Sequence, residues 1–536
     1  MTAKIFAALF LCALLLLASS PLQAQAQEGI HKINHVVILY LENRTVDNLY
    51  SLMPGVNGLF SPNAQITQTD KNDKPYATLP PVLISLKYAG IGRPVDELPG
   101  LPDPRFAQNL PNKPFQMDQY VPNNQLVGTP VHRFYEHILQ INGGKMDKYV
   151  AWTDVGGMTM GYYDTTKLPL YPYAQHFAFA DNYFTAAFGG SWLNHMWLVC
   201  ACTPPWKNAP PEFISKPIFD ANGKLIGVND TEYQLVTPDG YAINTGIESF
   251  YPPHSSKTPT DHLLPPIDLP TIGDRLTAAG ISWNEYNGGW QDALAGDPDQ
   301  PIPLVPMPPL SSHGYFKPYG PGMPGRAHLR DAADFIGDVV NGQLAAVSIV
   351  KPDPPFDEHA GYSIIQTAEQ HAVLMIQALM LSKYWNDTAI FITYDDFGGW
   401  YDHVPPPTLD RWGPGGRVPL LIISPYAKQG FIDHTFYDTT ALLKFIETRW
   451  QLAALGTRDA NSQDLTNAFD FTQPPAPPFA PNTALGQASP PPSAGAPSNT
   501  AEPSVTLTLT QIALLGGLFV LALALSALLL LRRRRA

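Results

Sequence analysis

Residues 389–407 read Ala-Ile-Phe-Ile-Thr-Tyr-Asp-Asp-Phe-Gly-Gly-Trp-Tyr-Asp-His-Val-Pro-Pro-Pro. The run from Ile390 to Tyr394, rich in β-branched and aromatic side chains, predicts a buried strand. Two adjacent carboxylates, Asp395 and Asp396, follow at its end, then Gly398 and Gly399, then Asp402 and His403, then a proline stop. Adjacent carboxylates repel, and they share a buried space only with a cation or with protons. The bare pattern also fits a solvated loop, so the neighbouring segments decide.

Outward from this stretch the pattern is β-α-β. Ala345 to Val350 predicts a strand, Ser363 to Tyr384 a long helix with Ile365, Ala368, Ala372, Met375, Ile376 and Leu379 on one face, and Ala389 to Tyr394 the next strand. Val418 to Ile423 adds a strand and Thr440 to Trp450 a final amphipathic helix. Far upstream, residues 32–41 predict a first central strand, ending at Glu42-Asn43-Arg44-Thr45. That tetrapeptide also holds a glycosylation sequon, at a strand end where use is disfavoured. Strands alternating with helices imply an α/β fold with a mostly parallel sheet covered on both faces. Residues 51–130, 205–270 and 300–330 are rich in proline, glycine and polar residues and predict long surface excursions. Residues 271–283 predict a helix leading into a short strand.

The chain has 536 residues, with 56 prolines and 15% charged residues. Lys4, the apolar run Ile5 to Leu17 and Ala24-Gln25-Ala26 form an export signal, expected to span 1–26. Ile512 to Leu531 is an uncharged run of bilayer-spanning length, followed by Arg532 to Arg535. Those arginines are expected on the cytoplasmic side, anchoring the body outside the cell membrane by a single span. The expected layout is a catalytic domain over 27–472, a Pro/Ala/Ser-rich stalk over 473–503, a membrane helix over 512–531 and a basic tail over 532–536. Net charge is −13, and removing the five cations Lys4 and Arg532 to Arg535 leaves −18 on the body. An acidic body excludes the basic footprint of nucleic-acid binding. Of three cysteines, Cys12 lies in the signal, and Cys200 and Cys202 are spaced for at best a strained disulfide.

Three polar clusters fall at the carboxyl ends of predicted strands: Glu42-Asn43, Asp357-Glu358-His359 and Asp395-Asp396. In open α/β sheets ligands bind at that edge. Gathered oxygen ligands suit one divalent cation. Phe188-Gly189-Gly190-Ser191 opens an apolar helical run, which fits either a nucleophile or a helix-capping serine. His132, Arg133, His137 and Lys145 are polar groups on the 131–150 segment, where His137 reads as structural.

These segments, together with Asp402-His403-Val404-Pro405-Pro406 and Arg417-Val418-Pro419 through Ser424-Pro425, resemble the bacterial phosphoesterase family. That family joins phospholipases C with a group of acid phosphatases in the alkaline-phosphatase-like superfamily. The resemblance implies an alkaline-phosphatase-like sheet with long loop insertions. It implies Ser191 as nucleophile and Glu42, Asn43, Asp395 and Asp396 as ligands of one divalent metal ion of unspecified identity. It implies His359 near the leaving group, with His132 and His313 as further phosphate-facing histidines. Asp402 and His403 are expected to brace the turn. Ser191, Asp396, Gly143 to Lys148, and Ser282-Trp283 through Asn287 to Trp290 are closer to the acid phosphatase branch. The expectation is therefore an exported acid phosphatase acting on small phosphate monoesters. A phospholipase C acting on phosphatidylcholine-like lipids is the alternative, and an inactive surface-binding protein a third.

Overall fold

The computed structural model describes residues 29–62, 64–84, 100–231, 233–295 and 311–481. The expected signal, membrane helix and basic tail, and the stalk beyond 481, lie outside the described residues. Among the described residues no helix is long and apolar enough to cross a membrane.

The expected strand at 389–394 is β6 of a central eight-stranded sheet, running Thr388–Tyr394, and every residue of it is buried. Its companions in chain order are β1 (His35–Leu41), β2 (Ala178–Ala180), β3 (Trp283–Asn287), β4 (Leu329–Asp331), β5 (Val347–Lys351), β7 (Leu420–Ile423) and β8 (Ile432–Asp433). They lie in the order β8-β2-β7-β6-β1-β5-β3-β4. Burial of alternate and intervening side chains alike on β6 means that both faces are covered, which is why β1 and β6 read as unbroken apolar runs. β1 pairs in parallel with both β5 and β6, and β5 with β3. The expected 418–423 strand differs in direction: β7 runs antiparallel to β6 and to β2.

The main helices are α1 (Phe134–Ile141), α2 (Ser191–Cys200), α3 (Ile272–Ala278), α4 (Ile365–Met380) and α5 (Thr440–Trp450). α5 matches its expected bounds, and α4 buries the six residues assigned to its inner face. α3 is closed by a capping box between Thr271 and Asp274, and it ends before the strand, which starts at Trp283 rather than Ile281.

Two local expectations are revised. Cys200 and Cys202 form a disulfide, with Cα atoms 5.2 Å apart. The folded body also continues past residue 472: the Ala476 carbonyl accepts from Trp385 Nε1 at 2.8 Å, and Phe479 stacks on His176. Proline-rich composition misled here because the segment packs by single anchors without forming an element.

Candidate active site

Strand register builds the site. Leu41 pairs with Tyr394, so Glu42 and Asp395, the next residues, emerge side by side. The Asp395 amide donates to Leu41 O at 2.9 Å, and the Asn43 amide to Asp395 Oδ1 at 3.1 Å. On the other flank of β1 the Glu42 amide donates to Asp357 O at 2.8 Å, bringing in the loop after β5. Asn43 takes a left-handed backbone (φ 64°) and is buried, so the sequon is inaccessible in the folded protein. The two glycines after the acids permit close approach: a Cβ at Gly398 would lie 2.5 Å from Asn43 O, and one at Gly399 would lie 2.6 Å from Val131 O.

Ser191 is the first helical residue of α2, and Gly190 occupies the capping position. Its hydroxyl therefore has no capping task. Ser191 Oγ lies 3.1 Å from Glu42 Oε2 and 3.1 Å from Asp396 Oδ2, so its one proton is offered to two carboxylates. The second oxygen of Glu42 accepts from Lys351 Nζ at 2.7 Å, and Lys351 also bonds Asp357 Oδ2 at 3.2 Å. Asp357 Oδ1 accepts from the His359 amide at 2.9 Å. A cavity of about 470 Å³ opens on Glu42, Ser191, His132, Lys351, Asp357 and His359.

His359 Nδ1 lies 2.5 Å from Ala360 O, and His132 Nδ1 lies 2.7 Å from Pro130 O. A carbonyl only accepts, so in each ring Nδ1 carries the proton and Nε2 is the nitrogen able to meet substrate. The two rings lie 5.9 Å apart. His313 departs from expectation. It is fully buried, bonded through Nδ1 to Glu285 Oε2 at 2.8 Å, and is not among the residues lining the cavity, although Ser311 and Gly314 beside it are. His137 is structural as read: its Nδ1 accepts from the Gly189 amide and its ring stacks on Phe397.

The charges are unbalanced. Burial pushes Asp395 far up, with Glu42 and Asp396 adding repulsion. Burial also raises Asp396 to about 6, though His132 opposes it, and raises Asp357 to about 7, though Lys351 opposes it. Burial would raise Glu42 too, but Lys351, His359 and His195 outweigh it and hold that carboxyl well below the usual range. Burial lowers His195 to about 4 and His359 to about 3.

Glu42, His195 and Asp395 each offer a ligand atom within 4.8 Å of one another. Among the described residues Asp395 Oδ2 and His195 Nε2 are buried with no hydrogen-bond partner, and His195 Nδ1 lies 3.7 Å from Asp395 Oδ2. Orphaned donor atoms among crowded carboxylates fit a divalent cation. Of the expected ligands, Glu42 and Asp395 belong to this group. Asp396 adjoins it through Ser191, and Asn43 adjoins it through its amide. His195 was not foreseen, although it stands one helical turn after Ser191. Nor was Lys351, the last residue of β5. The cavity's aromatic part (Trp192, Tyr251, Trp290, Tyr315, Tyr362) draws partly on the 205–270 excursion, which carried no periodic signal.

An activated hydroxyl beside a carboxylate cluster at the carboxyl edge of the sheet equips a hydrolase of phosphoric esters. The chain belongs to the phosphoesterase family, whose pattern it matches over residues 33–453. It is 24% identical over 486 residues to phospholipase C A of Mycobacterium tuberculosis, covering 83% of this chain and 78% of that protein. It is 25% identical over 513 residues to the non-hemolytic phospholipase C of Burkholderia pseudomallei, covering 83% and 60%. Among solved structures, murine ectonucleotide pyrophosphatase/phosphodiesterase 5 superposes with a TM-score of 0.28 at 11% identity, covering 57% of this chain and 96% of that one.

Proposed function

We propose that this chain is an exported, membrane-anchored acid phosphatase that hydrolyses phosphate monoesters through a phosphoserine intermediate. The observation that carries this reading is Ser191 Oγ, 3.1 Å from Glu42 Oε2 and 3.1 Å from Asp396 Oδ2, on a cavity shared with His359 and His132. A divalent ion held by Glu42, Asp395, Asp396 and Asn43, with His195 alongside, would supply Lewis-acid polarisation of the phosphoryl oxygens. Ser191 Oγ attacks phosphorus in line and passes its proton to one of its two carboxylate partners. The bond to the leaving oxygen breaks, and that oxygen takes a proton from His359 Nε2. Water then bonds phosphorus as His359 Nε2 takes its proton, and Ser191 Oγ leaves and recovers its own proton from the carboxylate that held it. Burial favours neutral His359, and a bound phosphate dianion draws it back toward the cationic form that donates. An acidic working range follows from that need. His132 supports the same face, and His313 shapes the cavity wall through its neighbours. Export and anchoring rest on residues 1–26 and 512–531 of the sequence.

One observation favours a second reading. The aromatic side chains of the cavity suit a quaternary ammonium group, and the relatives above are named phospholipases C. The purified full chain in detergent, given p-nitrophenyl phosphate and phosphatidylcholine, separates the two. The first reading expects kcat/KM for the monoester to be the higher. Faster phosphocholine release makes the protein a phospholipase C. A metal-loaded chain that turns over neither ester would be a binding protein on this scaffold.

A further inference from the structure

Lys351 sits where a substrate oxygen would need it. It ends β5, the strand beside β1, and its side chain lines the cavity with Ser191 and His359 while only 7% of the residue is exposed. Its ammonium has three donors, and among the described residues it bonds Glu42 Oε1 at 2.7 Å and Asp357 Oδ2 at 3.2 Å. Glu42 holds Ser191 Oγ on its other oxygen, so nucleophile and ammonium flank one carboxylate. Asp357 bonds Lys351 with one oxygen and the His359 amide with the other, so these two cavity-lining residues share one support.

We propose that Lys351 is a catalytic residue that binds a non-bridging phosphoryl oxygen with its third N–H, and that Asp357 is the positioning residue that aims both Lys351 and His359. The proposal rests on the phosphoesterase reading above. A flexible ammonium is ordinarily a poor locator of charge, and contacts to two carboxylates remove that freedom. As phosphorus is attacked its equatorial oxygens gather charge, and a fixed cation in a water-poor site then stabilises the transition state more than the ground state. A purely scaffolding lysine would need no cavity face, and a purely substrate-binding one would need no second carboxylate.

The test uses the full chain in detergent, with orthovanadate as probe in titration calorimetry, metal content by emission spectroscopy, and p-nitrophenyl phosphate kinetics. The variants are Lys351→Met, Asp357→Asn, the charge-compensated pair of both, and Lys351→Arg. Lys351→Met and the pair are expected to bind orthovanadate about 100-fold more weakly and to lose about 100- to 1,000-fold in kcat, with metal content unchanged. Lys351→Arg is expected to recover a substantial part of both. Asp357→Asn alone is expected to lower kcat more than orthovanadate affinity and to shift the acid limb of the pH profile, because His359 loses its support. Orthovanadate affinity at the parent value in the compensated pair would reduce Lys351 to a counter-ion of Asp357 and overturn the proposal. Loss of metal in both Lys351 variants, or failure of the compensated pair to fold, overturns it equally by assigning the residue to Glu42 or to the scaffold. A parent chain that holds metal but binds no orthovanadate fails at the level of the phosphoesterase reading, which the variants' silence then distinguishes from failure of Lys351 alone.

Discussion

Two buried carboxylate clusters lie close in sequence and differ in kind. One holds Glu42, Asp357, Asp395 and Asp396, with Lys351 bonded to Glu42 and Asp357. The other holds Asp47 and Asp402 around Arg417 and His403. Each contains a set of ligand atoms within 4.8 Å, Glu42-His195-Asp395 in the first and Asp47-Asp402-His403 in the second. The second is closed. Arg417 Nε bonds Asp402 Oδ1 at 3.0 Å and Nη2 bonds Asp47 Oδ1 at 3.1 Å, while Nη1 bonds the Asn57 and Asp181 carbonyls. His403 donates from its amide and its ring to Asp47 Oδ2. Burial alone would lower His403, but Asp47 and Asp402 raise it, so both carboxylates have the Arg417 guanidinium and the His403 ring as direct neighbours. The first cluster has more acids than cations, an Asp395 Oδ2 with no hydrogen-bond partner among the described residues, and a cavity beside it. Proximity of ligating groups is therefore a weak sign of a metal centre, and unanswered charge next to open volume is a stronger one.

The sharpest contrast comes from Ser191→Ala. Activity is expected to fall by at least about 10⁴-fold, while the unfolding temperature stays near that of the parent, because only a hydroxyl leaves the open cluster. Full turnover in this variant would place the chemistry elsewhere. Chelation probes the same cluster by its missing charge. Removing a divalent ion is expected to cost about 10³-fold or more in rate and to lower Tm, both restored by adding a divalent cation back. An ion present at 100 times its dissociation constant contributes about 2.7 kcal/mol to stability. Asp402→Asn should leave metal content unchanged, and a drop there would break the distinction between the clusters.

Much of this was legible in the sequence, and the failures have physical reasons. β1, β6 and α5 announced themselves because buried parallel strands and a one-sided helix leave periodic signals. The gathering of Glu42, Asp395 and Asp396 was legible because strand ends are marked by the apolar runs before them. Lys351 was missed because a lysine closing a strand reads as its solvated end, and only the pairing of β5 with β1 puts it against Glu42. His195 was hidden inside a helix that is buried on every side, where no polar face distinguishes it. His313 was expected to face phosphate because of the family resemblance, and its buried partner Glu285 lies on β3, 28 residues upstream and invisible to motif reading. The turn-bracing role of Asp402 and His403 was anticipated, but Arg417, which completes it, was noted only as part of a motif.

The closed cluster should fail by unfolding rather than by inactivity. Arg417→Met leaves Asp47 and Asp402 facing each other without a guanidinium, and removing one partner of a buried ion pair costs about 3–5 kcal/mol. The variant that does fold is expected to keep kcat within about tenfold of the parent, measured below its lowered Tm. A collapse of kcat at full stability would join the two clusters into one functional unit.

A third buried acid shows the remaining way to answer the same problem. Glu447 on α5 is 3% exposed, with the Asp459 carboxyl and the Lys444 ammonium as its charged neighbours. Burial, and then the neighbouring Asp459, push it up to about 8. Its answer is a proton. A carboxyl raised in the folded state contributes stability that is complete below its unfolded pKa, near 4.3, and is lost as pH rises through about 8. Glu447→Gln mimics the protonated form, so it should leave Tm nearly unchanged at pH 5 and raise it by several degrees at pH 8.5, read by thermal unfolding. The effect is the smallest of these because Lys444 offsets part of the charge. An equal rise at both pH values would mean that Glu447 is ionised throughout, and would remove it as the protonated counterpart of the other two clusters.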